Sequence, residues 1–581
     1  MNWMWKCNPS RWRVSIAATV LVFLFPRPPL FGQALTIPER VSPDTLYYMQ
    51  WCGLASLSDA QRKNHLLLLL QDPDFAPLWK LAADKLHQGL NKENTYSAPE
   101  LADMISLLDN PAAFGVVTNS VPAKTSVPSS APSLFGVFAV YDASGKVDLV
   151  QRLRALAKSA GSGAPVVTTY DFNGTLVEAQ TSGKSASYSA RVSHYFLFAS
   201  EKQIIEDLIT RFQGAAKPDS SLAELPEYKA VRKYSSSDVA IEFFAHVPNL
   251  DKLISPEQKG KPAARLIHSL HLDKIHVAGG SMSFAGEATR IQGAVLGEAS
   301  PGSLFEVAGP SGAVFQAQPI VGSSPIFSFS RMNFVALYEL IHGAVLGTLT
   351  EQQASNVTTA EAMAQNFLGM SIRDVFALFT GEFASTTSYA EDGSSLHMFV
   401  LTIQKPDDVL RVLRAVAASM IVAEDTSGGT TYLDLSFPYQ DPATHTERRK
   451  FYYVAVTPQM VLTAPQKAML RQAVDRLSSE PAAAPASGIL RSAEYLRMRS
   501  LLPEKLSGLS AADIAAIPWS KMIPGLTGQV AHATMQSQGS NPRDLSWLQG
   551  IKPDVFPRHI HITVSGWWKD SNGIYFDSYI Q

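Results

Sequence analysis

Short runs in which apolar and polar residues alternate, each followed by a switch to helical spacing, recur along this chain. DTLYYMQW (Asp44 to Trp51) alternates as a half-buried strand does, and GLASLSDAQRKNHLLLLL then turns to the three-and-four spacing of an amphipathic helix. The same change of period occurs in DVAIEFFAHVPNLDKL from Asp238 and in PIFSFSRMNFVALYELI from Pro325. Between them, LDKIHVAGGSMSFAGEATRIQGAVLGEAS alternates around Ala285-Gly286-Glu287, which predicts an antiparallel hairpin. The tail, HIHITVSGWWKDSNGIYFDSYI, predicts another, turning at Ser571-Asn572-Gly573.

The chain also repeats itself. DLVQRLRALA (Asp148 to Ala157) returns as DVLRVLRAVA (Asp408 to Ala417) with five of ten positions identical. An apolar run precedes each copy (LFGVFAV from Leu134, LHMFVLT from Leu396). A Gly-Thr turn, a strand, a second helix and a Glu-Tyr pair follow, Glu227-Tyr228 in one copy and Glu494-Tyr495 in the other. The offset drifts only from 260 to 267 residues across the whole unit, as a duplicated module would leave it. In the repeated helix Leu149, Val150, Leu153 and Leu156, and likewise Val409, Leu410, Leu413 and Val416, are expected to face a sheet. Arg154 and Arg414 would then lay their stems along that stripe and reach a carboxylate or carbonyl at its boundary.

Strands in meanders with intervening helices, without regular strand–helix alternation, imply an α+β fold. The expectation is two homologous modules of antiparallel sheet, each covered by helices on one face and joined by a strand-rich segment. The expected boundaries are a signal peptide over 1–34, a first module over 35–255, a strand-rich connection over 256–325, a second module over 326–505, and a C-terminal segment over 506–581 that ends in the hairpin.

A length of 581 residues exceeds what one core serves, which agrees with several domains. The formal net charge of −2 offers no electrostatic ground for nucleic-acid binding. The basic run Arg448-Arg449-Lys450 reads as a solvated strand edge. At the N-terminus, Arg11 and Arg13 precede the twelve-residue stretch VSIAATVLVFLF, and small residues follow at Gly32-Gln33-Ala34. Twelve residues are too few to span a bilayer, so the segment is expected to be a secretory signal cleaved after Ala34, leaving no transmembrane anchor. Cys7 would leave with it, and Cys52 would be the only thiol of the mature chain.

Candidate chemistry is sparse. Asp171 to Thr175, DFNGT, resembles the first motif of the haloacid-dehalogenase phosphotransferases, which would make Asp171 a nucleophile. The position that supplies the acid–base in that family is Asn173, and an amide delivers no proton. The alternative is an Asn173-Gly174 hairpin turn, and the sister copy reads Asp425-Thr426-Ser427-Gly428-Gly429-Thr430, a glycine turn without the acid pair. His268, His271 and His276, and separately His559 and His561, have spacings open to metal ligation but lack an accompanying HExxH glutamate. Nucleophile elbows, SxxK and P-loop patterns are missing. Of the pair Trp567-Trp568, one ring is expected in the core, because neighbours on a strand face opposite ways. No catalytic, cofactor or metal residue is therefore assigned.

VSPDTLYYMQW, DVAIEFFAHVPNLDKL and the LAELPEY pattern together resemble a group of uncharacterised exported bacterial proteins that open on a P-A-D-T phrase and carry a duplicated domain of unknown function. Here the phrase is Ser42-Pro43-Asp44-Thr45, different at one position. The resemblance implies a periplasmic or secreted location and supplies no catalytic residues. The expected function is a non-enzymatic scaffold, binding or accessory protein of the envelope, its partner an envelope protein. The rivals are a carrier of an apolar ligand held between sheet and helices, and a hydrolase using Asp171 or a histidine cluster. A lined apolar cavity would favour the carrier, converging polar groups the hydrolase, and a filled core the scaffold.

Overall fold

The computed structural model describes residues 37–75, 106–118, 135–151, 166–182, 185–214, 220–236, 238–246, 269–298, 302–440, 446–478, 488–522 and 552–581. The proposed signal segment, His268, Arg154, Leu153 and Leu156 lie outside them. The chain divides into two compact units. The first comprises Met1–Ser255 with His276–Val295, and the second Pro256–Ile275 with Leu296–Gln581.

The strands of the first unit, among the described residues, are β1 (Thr45–Trp51), β2 (Ala112–Thr118), β3 (Phe135–Asp142), β4 (Val166–Phe172), β5 (Thr175–Ser182), β6 (Ser185–Val192), β7 (Tyr195–Ala199), β8 (Val239–His246), β9 (Ile275–Ala285) and β10 (Ala288–Gly297). Their spatial order is β4-β5-β6-β7-β3-β2-β1-β8-β9-β10. Those of the second unit are β11 (Ile326–Arg331), β12 (Phe379–Tyr389), β13 (Ser395–Ile403), β14 (Ile421–Ser427), β15 (Thr430–Gln440), β16 (Glu447–Val456), β17 (Met460–Ala464), β18 (Gly508–Asp513), β19 (Ile562–Lys569) and β20 (Gly573–Ile580). Their order is β14-β15-β16-β17-β13-β12-β11-β18-β19-β20, every registered pair being antiparallel. The fold is α+β with antiparallel sheet. Adding ten to each strand number of the first order produces the second.

Helices occupy matching places in the two chains of strands. Lys202–Phe212 follows β7, and Lys467–Ser478 follows β17. The first buries Ile204, Ile205, Leu208, Ile209 and Phe212, a single stripe at helical spacing. Short helices then carry the two Glu-Tyr pairs, Pro226–Arg232 and Ala493–Leu501. Their repetition has a packing cause. Tyr228 is buried and edge-on to Phe244 at 5.4 Å, and Tyr495 is buried and edge-on to Phe327 at 5.9 Å.

The helices do not cover one face only. The helix Pro406–Ala417 packs Val409 and Leu410 against Leu433, Leu435, Val454, Val456 and Val461. The helix Lys467–Ser478 packs Leu470 and Val474 in a core with Tyr432, Ala455, Met460 and Leu462, which are the opposite parity of the same strands. In the first unit Phe196 of β7 packs with Val150, whereas neighbouring Tyr195 meets Phe212 at 4.9 Å. A strand buried on both faces has no reason to alternate, and the apolar run of β7 (YFLFA) and that of β17 (MVLTA), interrupted only by Thr463, reflect that. The expected apolar stripe also ends early, because Val416 is 59% exposed. Arg414 does reach a carboxylate, placing Nε 3.3 Å and Nη2 2.5 Å from the two oxygens of Glu424. That hydrogen bonding holds the Glu424 carboxyl below the usual glutamate range.

Candidate functional site

Asp171 sits at the end of β4, opposite Leu176 in the ladder, and Phe172 pairs with Thr175. The two residues between take φ of 50° at Asn173 and 75° at Gly174, the left-handed pair that a two-residue hairpin turn requires. Asp171 Oδ1 accepts the Gly174 N–H at 3.1 Å. Gln213, at the end of the helix Lys202–Phe212, donates to the Asn173 carbonyl (3.1 Å) and to Thr175 Oγ1 (2.9 Å), fastening the turn to the helix. The sister turn, Gly428-Gly429, takes φ of 57° and 76° between β14 and β15. The motif is therefore a two-residue hairpin turn in each unit, docked on a helix in the first. Asp171→Asn is expected to shift stability by less than about 0.5 kcal/mol, since an amide oxygen accepts the same N–H. Gly174→Val is expected to cost about 1–2 kcal/mol, because a β-branched residue resists positive φ. Urea unfolding midpoints of the two variants check both.

The described histidines lie in separate places. His271 takes φ 51° ahead of the turn Leu272–Lys274, while His276 is exposed in β9. His559 ends the short helix Val555–His559, and His561 is exposed just before β19. No group of three or more His, Cys, Asp or Glu among the described residues converges to hold a metal. Trp567 and Trp568 are both half-buried. Trp567 lies where a Cβ on Gly508 would stand, and Trp568 stacks on Tyr575 at 5.8 Å, so the pair serves packing on both faces of β19.

Cys52, half-buried, accepts from Ser56 Oγ at 3.2 Å. Burial pushes its thiol up to about 11. At mildly alkaline pH the thiolate population is then small, and reaction with a thiol-specific disulfide reagent is expected to run roughly a hundredfold slower than for a free cysteine. Stopped reactions on native and urea-unfolded protein would show the contrast, and equal rates would contradict it.

The described residues also outline a cleft of about 540 Å³ in the second unit, lined by Glu306, Ser311, Asn333, Lys569 and Asp570 with intervening backbone. The sequence offered no signal for it, since its residues come from three distant segments. Lys569 Nζ donates to the carbonyls of Phe305 and, at 3.1 Å, Ala308, and burial pulls this ammonium below the usual lysine range. Ser311 Oγ pairs with Ser507 Oγ at 3.0 Å. Glu306 accepts the Gly302 N–H at 2.8 Å, and Asn333 accepts the Ala336 N–H at 3.1 Å as the cap of the helix Phe334–Thr348. Asp570 Oδ1 accepts from Asn572 N (2.7 Å), Gly573 N (3.1 Å) and Tyr575 Oη (3.0 Å). Each of these side chains is engaged with the protein's own structure, so the cleft reads as a polar seam between segments. The pairing of Ser311 and the orientation of Lys569 toward carbonyls do not make a nucleophile and its base.

The fold is α+β, with antiparallel sheet in each unit, and the polar side chains of the DFNGT turn and of the Lys569 cleft are engaged with the protein's own backbone and side chains. No family model matches the chain, no curated protein is similar to it, and no solved structure matches its fold. No helix among the described residues is long and apolar enough to cross a membrane.

Proposed function

We propose that this is an exported, non-enzymatic scaffold or accessory protein of the bacterial envelope, made of two modules that descend from one duplicated unit, and that it works by binding an envelope partner through its surface. The identical strand order of the two units, with helices and buried tyrosines in matching places, supports the duplication. The observation that carries the functional reading is the filling of the space between sheet and helices. In the second unit, where a carrier would hold its ligand, Phe315, Phe327, Phe329, Met398, Tyr432 and Tyr495 pack into one core. The repeated features are those that build core and turns, as selection on a scaffold would leave them.

Two measurements test this reading. Cell fractionation should place the chain in the periplasmic or secreted fraction with Leu35 at its N-terminus. Native mass spectrometry of the protein purified from that fraction should return the mass of the polypeptide alone. Retention in the cytoplasm would remove the envelope role, and a stoichiometric apolar adduct would replace the scaffold with a carrier.

A further inference from the structure

The hairpin of β15 and β16 outgrows its sheet. β14 pairs with β15 only from Thr430 to Leu435, and β17 pairs with β16 only from Tyr453 to Val456. From Ser436↔Phe451 to Gln440↔Glu447, the two strands pair with each other alone among the described strands. The corresponding strands of the first unit, β5 and β6, have 8 residues each, against 11 and 10 here. The extension of β15 adds about 10 Å at the rise of an antiparallel strand. A two-stranded ribbon by itself is marginally stable in water, so what its side chains meet matters.

Those side chains are cations and aromatic rings, and they occupy both faces. The register Tyr439↔Arg448, Phe437↔Lys450 and Leu435↔Tyr452 puts Tyr439, Arg448, Lys450 and Tyr452 on one face. Arg449 and Phe451 point to the other, with Arg449 donating to Ser436 Oγ at 3.4 Å. Arg448, Arg449 and Lys450 are exposed, as are Phe451 (46%), Tyr439 (40%) and Tyr452 (36%). Lys450 Nζ lies 5.3 Å from the centre of the Tyr452 ring. Glu447, the one acid in this stretch of β16, shares the face of Arg449 and Phe451, so the net excess of positive charge comes from Arg448 and Lys450 on the other face, while exposed rings stand on both.

We propose that this ribbon docks on the surface of an anionic lipid bilayer. A flat polyanion or an acidic peptide is read from one face of a ribbon. A headgroup layer surrounds whatever enters it, and so rewards cations and rings on both faces at once. Tyrosine and other aromatic rings settle at the headgroup level, and lysine and arginine meet the anionic phosphates there. Among the described residues, β5 and β6 of the first unit carry no such extension, so the docking is a property of the second unit's hairpin. The inference rests on the reading that the protein works through its surface. Its test uses vesicles and purified full-length chain, so it can fail while the export and scaffold tests succeed.

The experiment is co-sedimentation with vesicles of phosphatidylcholine alone and of phosphatidylcholine with phosphatidylglycerol, at low and high salt, with heparin binding measured in parallel. Three variants accompany the wild type. The first carries Arg448→Ser, Arg449→Ser and Lys450→Ser. The second carries Tyr439→Ser and Phe451→Ser. The third carries Lys63→Ser, Lys233→Ser and Lys505→Ser, an equal change of charge at exposed positions elsewhere. Circular dichroism confirms that each remains folded. The expected result is salt-sensitive binding of wild type to the anionic vesicles. That binding should fall about fivefold per ribbon cation removed, roughly a hundredfold for all three. It should fall also for the aromatic variant and persist in the variant altered elsewhere. Equal binding to both vesicle types, or equal loss in both triple variants, would overturn the proposal. So would full binding by the aromatic variant, or binding to heparin without binding to vesicles.

Discussion

Phe329→Ala is expected to lower the stability of the second unit by about 3–5 kcal/mol, the range for truncating a buried aromatic ring. Phe329 lies in β11, between β12 and β18, and is 1% exposed. Its ring stacks on Phe315 at 5.1 Å and meets Phe327 at 5.0 Å. Because Phe315 comes from a loop and Phe327 from the same strand, truncation leaves a cavity that sheet and loop cannot both close. Urea unfolding followed by amide hydrogen exchange would read the loss in the second unit while the first keeps its protection. A loss below about 1 kcal/mol would mean that this core repacks freely.

Glu382→Ala is expected to cost a comparable amount, about 3–5 kcal/mol, for an electrostatic reason. Glu382 in β12 is 7% exposed, and its Oε1 accepts the Ala317 N–H at 2.7 Å. Its Oε2 lies 3.8 Å from Arg331, its ladder neighbour, whose side chain is only 15% exposed. Arg331 also donates to the Leu506 carbonyl at 2.7 Å and lies 4.2 Å over the Phe315 ring. Removing the carboxylate strands a largely buried guanidinium and orphans an N–H, and the penalty for an uncompensated buried charge is what makes the loss large. Glu382→Gln keeps an acceptor for Ala317 but not the charge facing Arg331, so it should recover only the hydrogen-bond share of the loss, about 1 kcal/mol. A urea midpoint for Glu382→Ala equal to that of the wild type would show that water reaches Arg331.

How much of this was readable beforehand depends on whether the signal is local. The turns at Asn173-Gly174, Gly428-Gly429 and Gly286 were legible because glycine and asparagine answer a local demand for positive φ. The tail turn was legible from its Asp-Ser-Asn-Gly cluster, in which Asp570 Oδ1 accepts the N–H groups of Asn572 and Gly573. The helix Pro406–Ala417 was legible from its spacing, although Val416 was misplaced because the stripe tells where a face begins and not where its partner strand stops. Helices on both faces were not foreseen, since a continuous apolar run such as YFLFA suits a doubly buried strand and a helix segment equally. The pairing of β1 with β8, Tyr47 opposite Ala245, joins residues almost two hundred apart, and nothing local encodes it. For the candidate sites the same rule held. The Asn-Gly pair marked the DFNGT hairpin locally, whereas the cleft around Lys569 and the buried pair of Arg331 and Glu382 exist only through tertiary assembly.

The route of the chain between the two units also limits how the protein can be taken apart. After the first unit's residues up to Ser255, the described residues 269–275 belong to the second unit, where Leu270 packs with Val307, Ala336 and Leu340. The chain then returns to lay β9 and β10 on the first sheet before leaving for good. A fragment cut at Ser255 would lose the strand that pairs with β8, and the remaining piece would carry a hairpin whose Phe284 has lost its core partners Trp51, Leu54, Ala240 and Ile241. Recombination that exchanges one unit therefore has to make two crossovers, one on either side of the β9–β10 hairpin. A family built this way is expected to diversify by changing loops and hairpin lengths within each unit, not by shuffling whole units.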